Sequence, residues 1–242
     1  MGREKLVQIV PDGVRVGRSL RGTMVRLPGY SREIVSEYGF VSIDARGGSL
    51  REIRRILTID GQRWNKESRS LKTLAREMMA ADDKTKIRSL EKMEDFGLTG
   101  FVSDLGQLIL LFSRGGTARY EILYERPDAD GTLIFTYQQI DGAEGVTVYG
   151  ETDVPVRQRM RGRIWVQQDT LSPMRISFDS TREYERETVI DRSTIEYAPS
   201  KFGTLLPLRV KHEQFLNGIL LVTDNYDYTG WSQILPSSSR TK

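Results

Sequence analysis

From Met160 to Trp231 the chain alternates apolar and polar residues in long runs separated by short turn sequences. Successive side chains of a strand point to opposite faces, so such runs describe strands with one buried face and one wet face. Met160, Gly162, Ile164 and Val166 share one parity. Met174, Ile176 and Phe178 do so in the next strand, then Leu206, Leu208 and Val210, then Leu220, Val222, Tyr226 and Tyr228. Hairpin-connected strands of this kind must bury the apolar face against a second sheet, inside a closed barrel, or under helices. Asn217 followed by Gly218 is the strongest turn signal, because both central positions of a type I′ hairpin need φ > 0. Gly61, Gly131 and Gly142, each after an aspartate, mark further turns.

The same reading places strands near 117–125, 132–140, 145–149, 159–168, 173–183, 187–198, 205–216 and 219–230. It places earlier ones within 31–59, where Ile53, Leu57 and Ile59 fall on one side of a returning strand. Between them the period changes to helical. Leu71, Leu74, Met78 and Met79 share a face, Ile87, Leu90 and Met93 another, and 105–112 is apolar almost all round. Three contiguous helices within 66–112 argue against parallel β/α winding. The expected fold class is mainly β (α+β): a strongly curved antiparallel sheet or half-open β-barrel, with a three-helix insertion covering its concave face. The expected organisation is an irregular segment over 1–30, one domain over 31–233 and a disordered tail over 234–242. Leu6 to Val10 reads either as one turn of helix or as an edge strand.

Composition removes several classes of chemistry. The chain has 242 residues, no cysteine and a single histidine, His212. Thiol catalysis, iron–sulfur clusters, disulfides and multi-histidine zinc sites therefore drop out, and no cofactor is expected. A net charge of +3 comes from 36 basic and 33 acidic residues that are interspersed, which does not describe a nucleic-acid binder. No stretch is long and apolar enough for a transmembrane helix, and the first ten residues are too polar for a signal peptide. No Gly-x-Ser-x-Gly elbow, calcium loop or phosphate-binding glycine loop is present, so an enzyme is not expected.

The stretch Gly162–Ile176, in which a Gly-x-Ile-Trp-Val strand and a short turn lead to Pro-Met-Arg-Ile, resembles the signature hairpin of the LolA/LolB-like superfamily of cell-envelope lipoprotein-sorting carriers. The segments 198–203, 205–209 and 225–228 are similar to the endings of envelope proteins of that kind. The resemblance implies a half-open barrel with helices as a lid, acyl chains in the cavity, and a periplasmic or cell-envelope location. A lipid or a lipoprotein is then the implied partner. No binding residue of the family carries over to a single position here.

Two readings of the apolar face stay open. It is either an ordinary filled core, or the wall of an apolar ligand cavity lined by Met78, Leu108, Leu111 and Phe112 from the helices and by Ile164, Val166, Ile176 and Phe178 from the sheet. The first makes the protein an envelope interaction or scaffolding module, the second a non-enzymatic carrier. Arg157, Arg159, Arg161 and Arg163 form a basic row, and Glu183, Glu185 and Glu187 an acidic one. These either pair across strands or offer a docking surface for an anionic membrane. Trp165 falls on the charged parity, where arginine stems cover such rings. His212 falls on the apolar parity and reads as a satisfied buried or rim histidine.

Overall fold

The computed structural model describes residues 1–12, 15–18, 24–26, 28–42, 50–64, 71–80, 117–128, 130–142, 147–149, 155–157, 159–184 and 187–234. Its strands are β1 (Gly2–Val10), β2 (Arg15–Arg18), β3 (Met24–Arg26), β4 (Tyr30–Ser42), β5 (Leu50–Ile59), β6 (Gln62–Arg63), β7 (Tyr120–Tyr124) and β8 (Leu133–Gln139). They continue with β9 (Thr147–Tyr149), β10 (Pro155–Arg157), β11 (Arg159–Val166), β12 (Pro173–Tyr184), β13 (Glu187–Pro199), β14 (Leu205–Leu216) and β15 (Ile219–Thr229). Eleven of them form one antiparallel sheet in the order β6-β5-β4-β1-β15-β14-β13-β12-β11-β8-β7. Two small hairpins, β2 with β3 and β9 with β10, stand apart from it. Among the described residues the sheet is open, with β6 and β7 as its edges.

The alternating pattern is realised as a single transverse spine. Tyr124, Phe135, Ile164, Ile176, Ile195, Val210, Tyr226, Leu6, Ile34 and Ile59 stand opposite one another in successive strands. Most of these side chains are buried in one apolar cluster. Each fully buried aliphatic or aromatic chain contributes about 1.5–3 kcal/mol of transfer free energy. At the tightest hairpin, Asn217 and Gly218 take φ of 50° and 80°, the left-handed pair that a type I′ turn requires.

Several sequence expectations shift at this level. Gly2–Val10, placed in the irregular segment, is strand β1 at the middle of the sheet between β4 and β15. Its pattern is disguised because Glu4 occupies an inward position beside Leu6. Arg54 closes on that carboxylate with two bonds of 2.6 and 2.7 Å. Leu57 is the extra residue at a bulge, since Val35 and Ser36 pair with Thr58 and Ile56. The bulge flips the register, so Ile56 and Ile59 turn to the core face and Ile53 to the other. A second bulge opposite Tyr197 displaces Leu208, which is 44% exposed. Of the three helices expected within 66–112, the described residues give one, α1 (Leu71–Ala80), packed against β4 and β5. The other two, with Leu108, Leu111 and Phe112, lie outside the described residues.

Gly162 has its own reason. A Cβ there would lie 1.9 Å from the Ser177 carbonyl oxygen and 2.9 Å from the Tyr137 hydroxyl. The bare backbone lets the Tyr137 hydroxyl donate to that carbonyl at 2.9 Å, bracing β8 to β12 across β11.

Candidate functional site

The inner face of the sheet differs at its two ends. On one side of the spine a polar chain crosses six neighbouring strands. Tyr30 Oη donates to Gln8 Oε1 at 3.1 Å, and Gln8 Nε2 donates to Asp224 Oδ1 at 2.9 Å. His212 Nδ1 lies 3.3 Å from Asp224 Oδ2, and its Nε2 lies 3.3 Å from Asp191 Oδ1. Gln214 Nε2 donates to the same Asp191 oxygen at 2.9 Å, and Arg182, on β12, donates to Asp191 Oδ2 at 2.7 Å. His212 is 2% exposed, and both aspartates are buried.

Burial by itself would push the His212 pKa down. The hydrogen bonds that it donates to Asp191 and Asp224 and the charges of both carboxylates outweigh it, and the imidazole is pushed up to about 9. Burial would likewise raise Asp191, but its bond from His212 and the Arg182 guanidinium leave it below the usual carboxylate range. His212 is therefore an imidazolium near neutral pH, donating from both nitrogens. Ser193 stands opposite it in the β13–β14 ladder, yet among the described residues the Ser193 hydroxyl makes no hydrogen bond. A serine nucleophile needs an imidazole nitrogen free to take its proton. Here both nitrogens are occupied, so this Ser-His-Asp grouping is a charge clamp rather than a general base.

On the other side of the spine the inner face becomes aromatic. The Tyr38 and Tyr228 ring centroids are 4.9 Å apart, and Trp231 stacks on Phe40 at 6.0 Å and on Tyr228 at 6.1 Å. Trp231 is fixed by its indole N–H, which donates to the Pro207 carbonyl at 3.2 Å. Beyond this cluster two adjoining clefts open. One, of about 320 Å³, lies among Phe40, Ala75, Met79, Phe202, Leu206, Trp231 and Ile234. The other, of about 310 Å³, shares Phe202, Leu206 and Trp231 and extends to Ala198, Pro199 and Leu208. Both are walled mainly by apolar and aromatic side chains, with Lys201 and Gln233 and a few hydroxyl residues among the polar lining. Ligand clefts commonly occupy about 300–1,000 Å³ and are lined this way.

Of the residues expected from sequence to line a cavity, Leu108, Leu111 and Phe112 lie outside the described residues, and four of the others belong to the core. Ile164, Ile176 and Phe178 are buried members of the central cluster, and Val166 packs against it. Met78 lies on α1, and Met79 beside it reaches the first cleft. The remaining cleft walls come from the end of β4, the β13–β14 turn and the segment after β15. No periodicity joins these positions. The signal that was available is compositional: Phe202 in a Gly-containing turn and Trp231 just after a strand are large aromatics where polar residues are usual.

The outer face carries paired charges. Arg159 lies 3.4 Å from Asp141, Arg163 3.4 Å from Glu125 and Arg192 3.6 Å from Asp179. Arg175, Glu196, Arg209 and Asp227 form a ladder. The basic and acidic rows do not face each other: Arg161 stands opposite Asp179, whereas Glu183 stands opposite Thr188. Arg157 belongs to the separate β9–β10 hairpin. Trp165 lies under the Arg175 guanidinium, 5.5 Å from the ring centroid. A groove of about 420 Å³ crosses Arg161, Arg163, Ser177 and Asp179. Its wall is about half polar and mixes Glu121 and Asp179 with Arg161 and Arg163, so an acyl chain fits it less well than the aromatic clefts.

Among the described residues no group of three or more histidine, aspartate or glutamate side chains is placed to hold a metal ion, and no helix is long and apolar enough to cross a membrane. No family model, curated protein or solved structure matches the chain.

Proposed function

We propose that this protein binds an apolar ligand, a lipid acyl chain or the acyl chain of a lipidated protein, in the paired clefts at the Trp231 end of the sheet. The observation that carries the reading is the fixed aromatic wall of Phe40, Phe202 and Trp231, joined by Leu206 and by the helix residues Ala75 and Met79. Binding draws on apolar area removed from water, worth roughly 25 cal/mol per Å², less the cost of ordering the ligand. The charged half of the inner face would repel an acyl chain, because burying hydrocarbon against ion pairs leaves their outer hydrogen bonds unmade. A ligand therefore enters from the aromatic end and stops short of His212.

The finer form of the architecture belongs to the same proposal. The sheet curves as a half-barrel, and the segment that contains α1 acts as its cover. The resemblance of Gly162–Ile176 to the lipoprotein-sorting carriers supports the ligand class, a role without catalysis and a cell-envelope location. On that reading, Arg161, which makes no ion pair among the described residues, faces an anionic membrane surface at low salt. The packed spine, with Ile176, Ile195 and Val210 wholly buried, favours a second reading: a scaffold with a filled core that acts through its outer charges.

A fluorescent fatty acid separates the two. Saturable uptake by the parent, lost in Leu206→Asp and kept in Arg161→Ala, supports the carrier. Absence of uptake by the parent supports the scaffold.

A further inference from the structure

The two edges of the sheet are built differently. Edge β6 is two residues long, and both Gln62 and Arg63 are polar. Short, charged edges are the ordinary defence against pairing with another chain. Edge β7 has five residues, Tyr120–Tyr124, with neither proline nor lysine, and Glu121 is its single charge. Ile122, Leu123 and Tyr124 are 37%, 57% and 54% exposed. Nothing in that composition guards it.

The phase of its hydrogen bonds is also fixed. Glu125 donates from its backbone N–H to the Ile134 carbonyl, and Ile140 donates to the Arg119 carbonyl. In an antiparallel ladder the bonding positions alternate, so odd-numbered residues of this stretch bond to β8. Ile122 and Tyr124, of even number, turn their N–H and C=O groups away from β8, to the side on which no strand among the described residues pairs. A second β7 laid antiparallel about a two-fold axis at Ile122 brings even residues opposite even ones: Ile122 meets Ile122, and Tyr120 meets Tyr124. The same register sets Glu121 against Leu123, and beyond the strand it brings Arg119, the last residue of the 3₁₀ turn Thr117–Arg119, toward the partner's Glu125, so no like charges meet. Few registers of a strand on its own copy satisfy bonding phase, apolar pairing and charge together.

We infer that β7 is a homodimerisation edge, across which a second copy of this chain pairs antiparallel about Ile122 and continues the sheet. An isologous two-fold contact of this kind is closed and leaves no further free β7 edge.

Two measurements test it. The chain has no cysteine, so Ile122→Cys introduces one thiol per copy. Directly opposed residues of a bonded antiparallel pair have Cα atoms about 5.5 Å apart, within the span of a disulfide. Mild oxidation should convert Ile122→Cys to covalent dimer much faster than Leu171→Cys, whose position is 70% exposed but in the β11–β12 turn. In sedimentation equilibrium the parent should self-associate reversibly. Ile122→Lys, which sets two like charges on the axis, should weaken that association by about tenfold or more. Ile122→Pro, which removes an outward N–H without touching the β8 ladder, should weaken it too, and circular dichroism checks that each variant is folded. A parent that stays monomeric into the submillimolar range overturns the inference. So does association that folded Ile122→Lys and Ile122→Pro leave unchanged, or equal cross-linking through Leu171→Cys.

Discussion

His212 gives the inner face its most specific chemistry. A proton held between Asp191 and Asp224 is worth more in the folded chain than in the unfolded one, because both acceptors are already in place. Raising an imidazole from 6.5 to about 9 corresponds to roughly 3 kcal/mol. That contribution is fully present below about pH 6.5 and is lost as pH rises through about 9. Asp191, held below its ordinary value, contributes in the opposite sense: its share is present above about pH 4 and fades as pH falls. Urea denaturation should show stability falling by a few kcal/mol between about pH 6 and pH 9.5, and a flat profile there would contradict the clamp. His212→Leu should abolish that fall and destabilise at neutral pH by about 3–5 kcal/mol, since two buried carboxylates lose a shared partner. Part of this was legible. His212 sat on the apolar parity, and Asp191, Asp224, Ile195 and Tyr226 can be counted on theirs. The tight turn at Asn217 and Gly218, extended without interruption, sets His212 opposite Thr223. The bulge between Gln214 and Phe215 moves the ladder by one and sets it opposite Asp224. A bulge of this kind leaves no mark in hydrophobic periodicity.

At the scale of the element, strands with unbroken alternation were placed within a few residues, because period two and glycine-marked turns are local properties. β11 to β15 were placed as closely, although bulges interrupt the β11–β12, β13–β14 and β14–β15 ladders. β1 was hidden because a buried Glu4 interrupts its pattern, and only Arg54, fifty positions along the chain, accounts for that carboxylate. The turn between β14 and β15 is the most exacting local element. Gly218 stands at φ of 80° with open space around its Cα, so a larger side chain meets no neighbour but the backbone conformation itself is strained. Gly218→Val should cost about 1–3 kcal/mol. Gly218→Asn, which tolerates the left-handed region, should cost clearly less. Thermal melts that rank the two equally would mean that the hairpin does not depend on this conformation.

For the whole molecule, the first and last strands of the sheet region lie side by side, so β1 joins two meanders, β4 to β6 and β7 to β15, into one surface. That surface is apolar along its spine and ionic toward His212; toward Trp231 it is aromatic around the buried Glu4–Arg54 pair. The spine was readable from parity where Ile164, Ile176, Val210 and Tyr226 carry it, but not where it passes through Leu6 of the hidden β1. The aromatic end was not, because Phe40, Phe202 and Trp231 come from a strand end, a turn and a post-strand segment that only the topology unites. The account makes this end the place where an apolar ligand is held. A chain keeping only Trp231, made by Trp64→Phe and Trp165→Phe, tests it directly. Titration with a fatty acid brominated along its chain should quench the remaining indole saturably, because quenching by bromine needs near contact. Saturable quenching of Trp231, abolished by Leu206→Asp in a folded protein, is the predicted result. An indole that a brominated acyl chain does not quench, in a protein that otherwise takes up fatty acid, would place the ligand elsewhere and contradict the account.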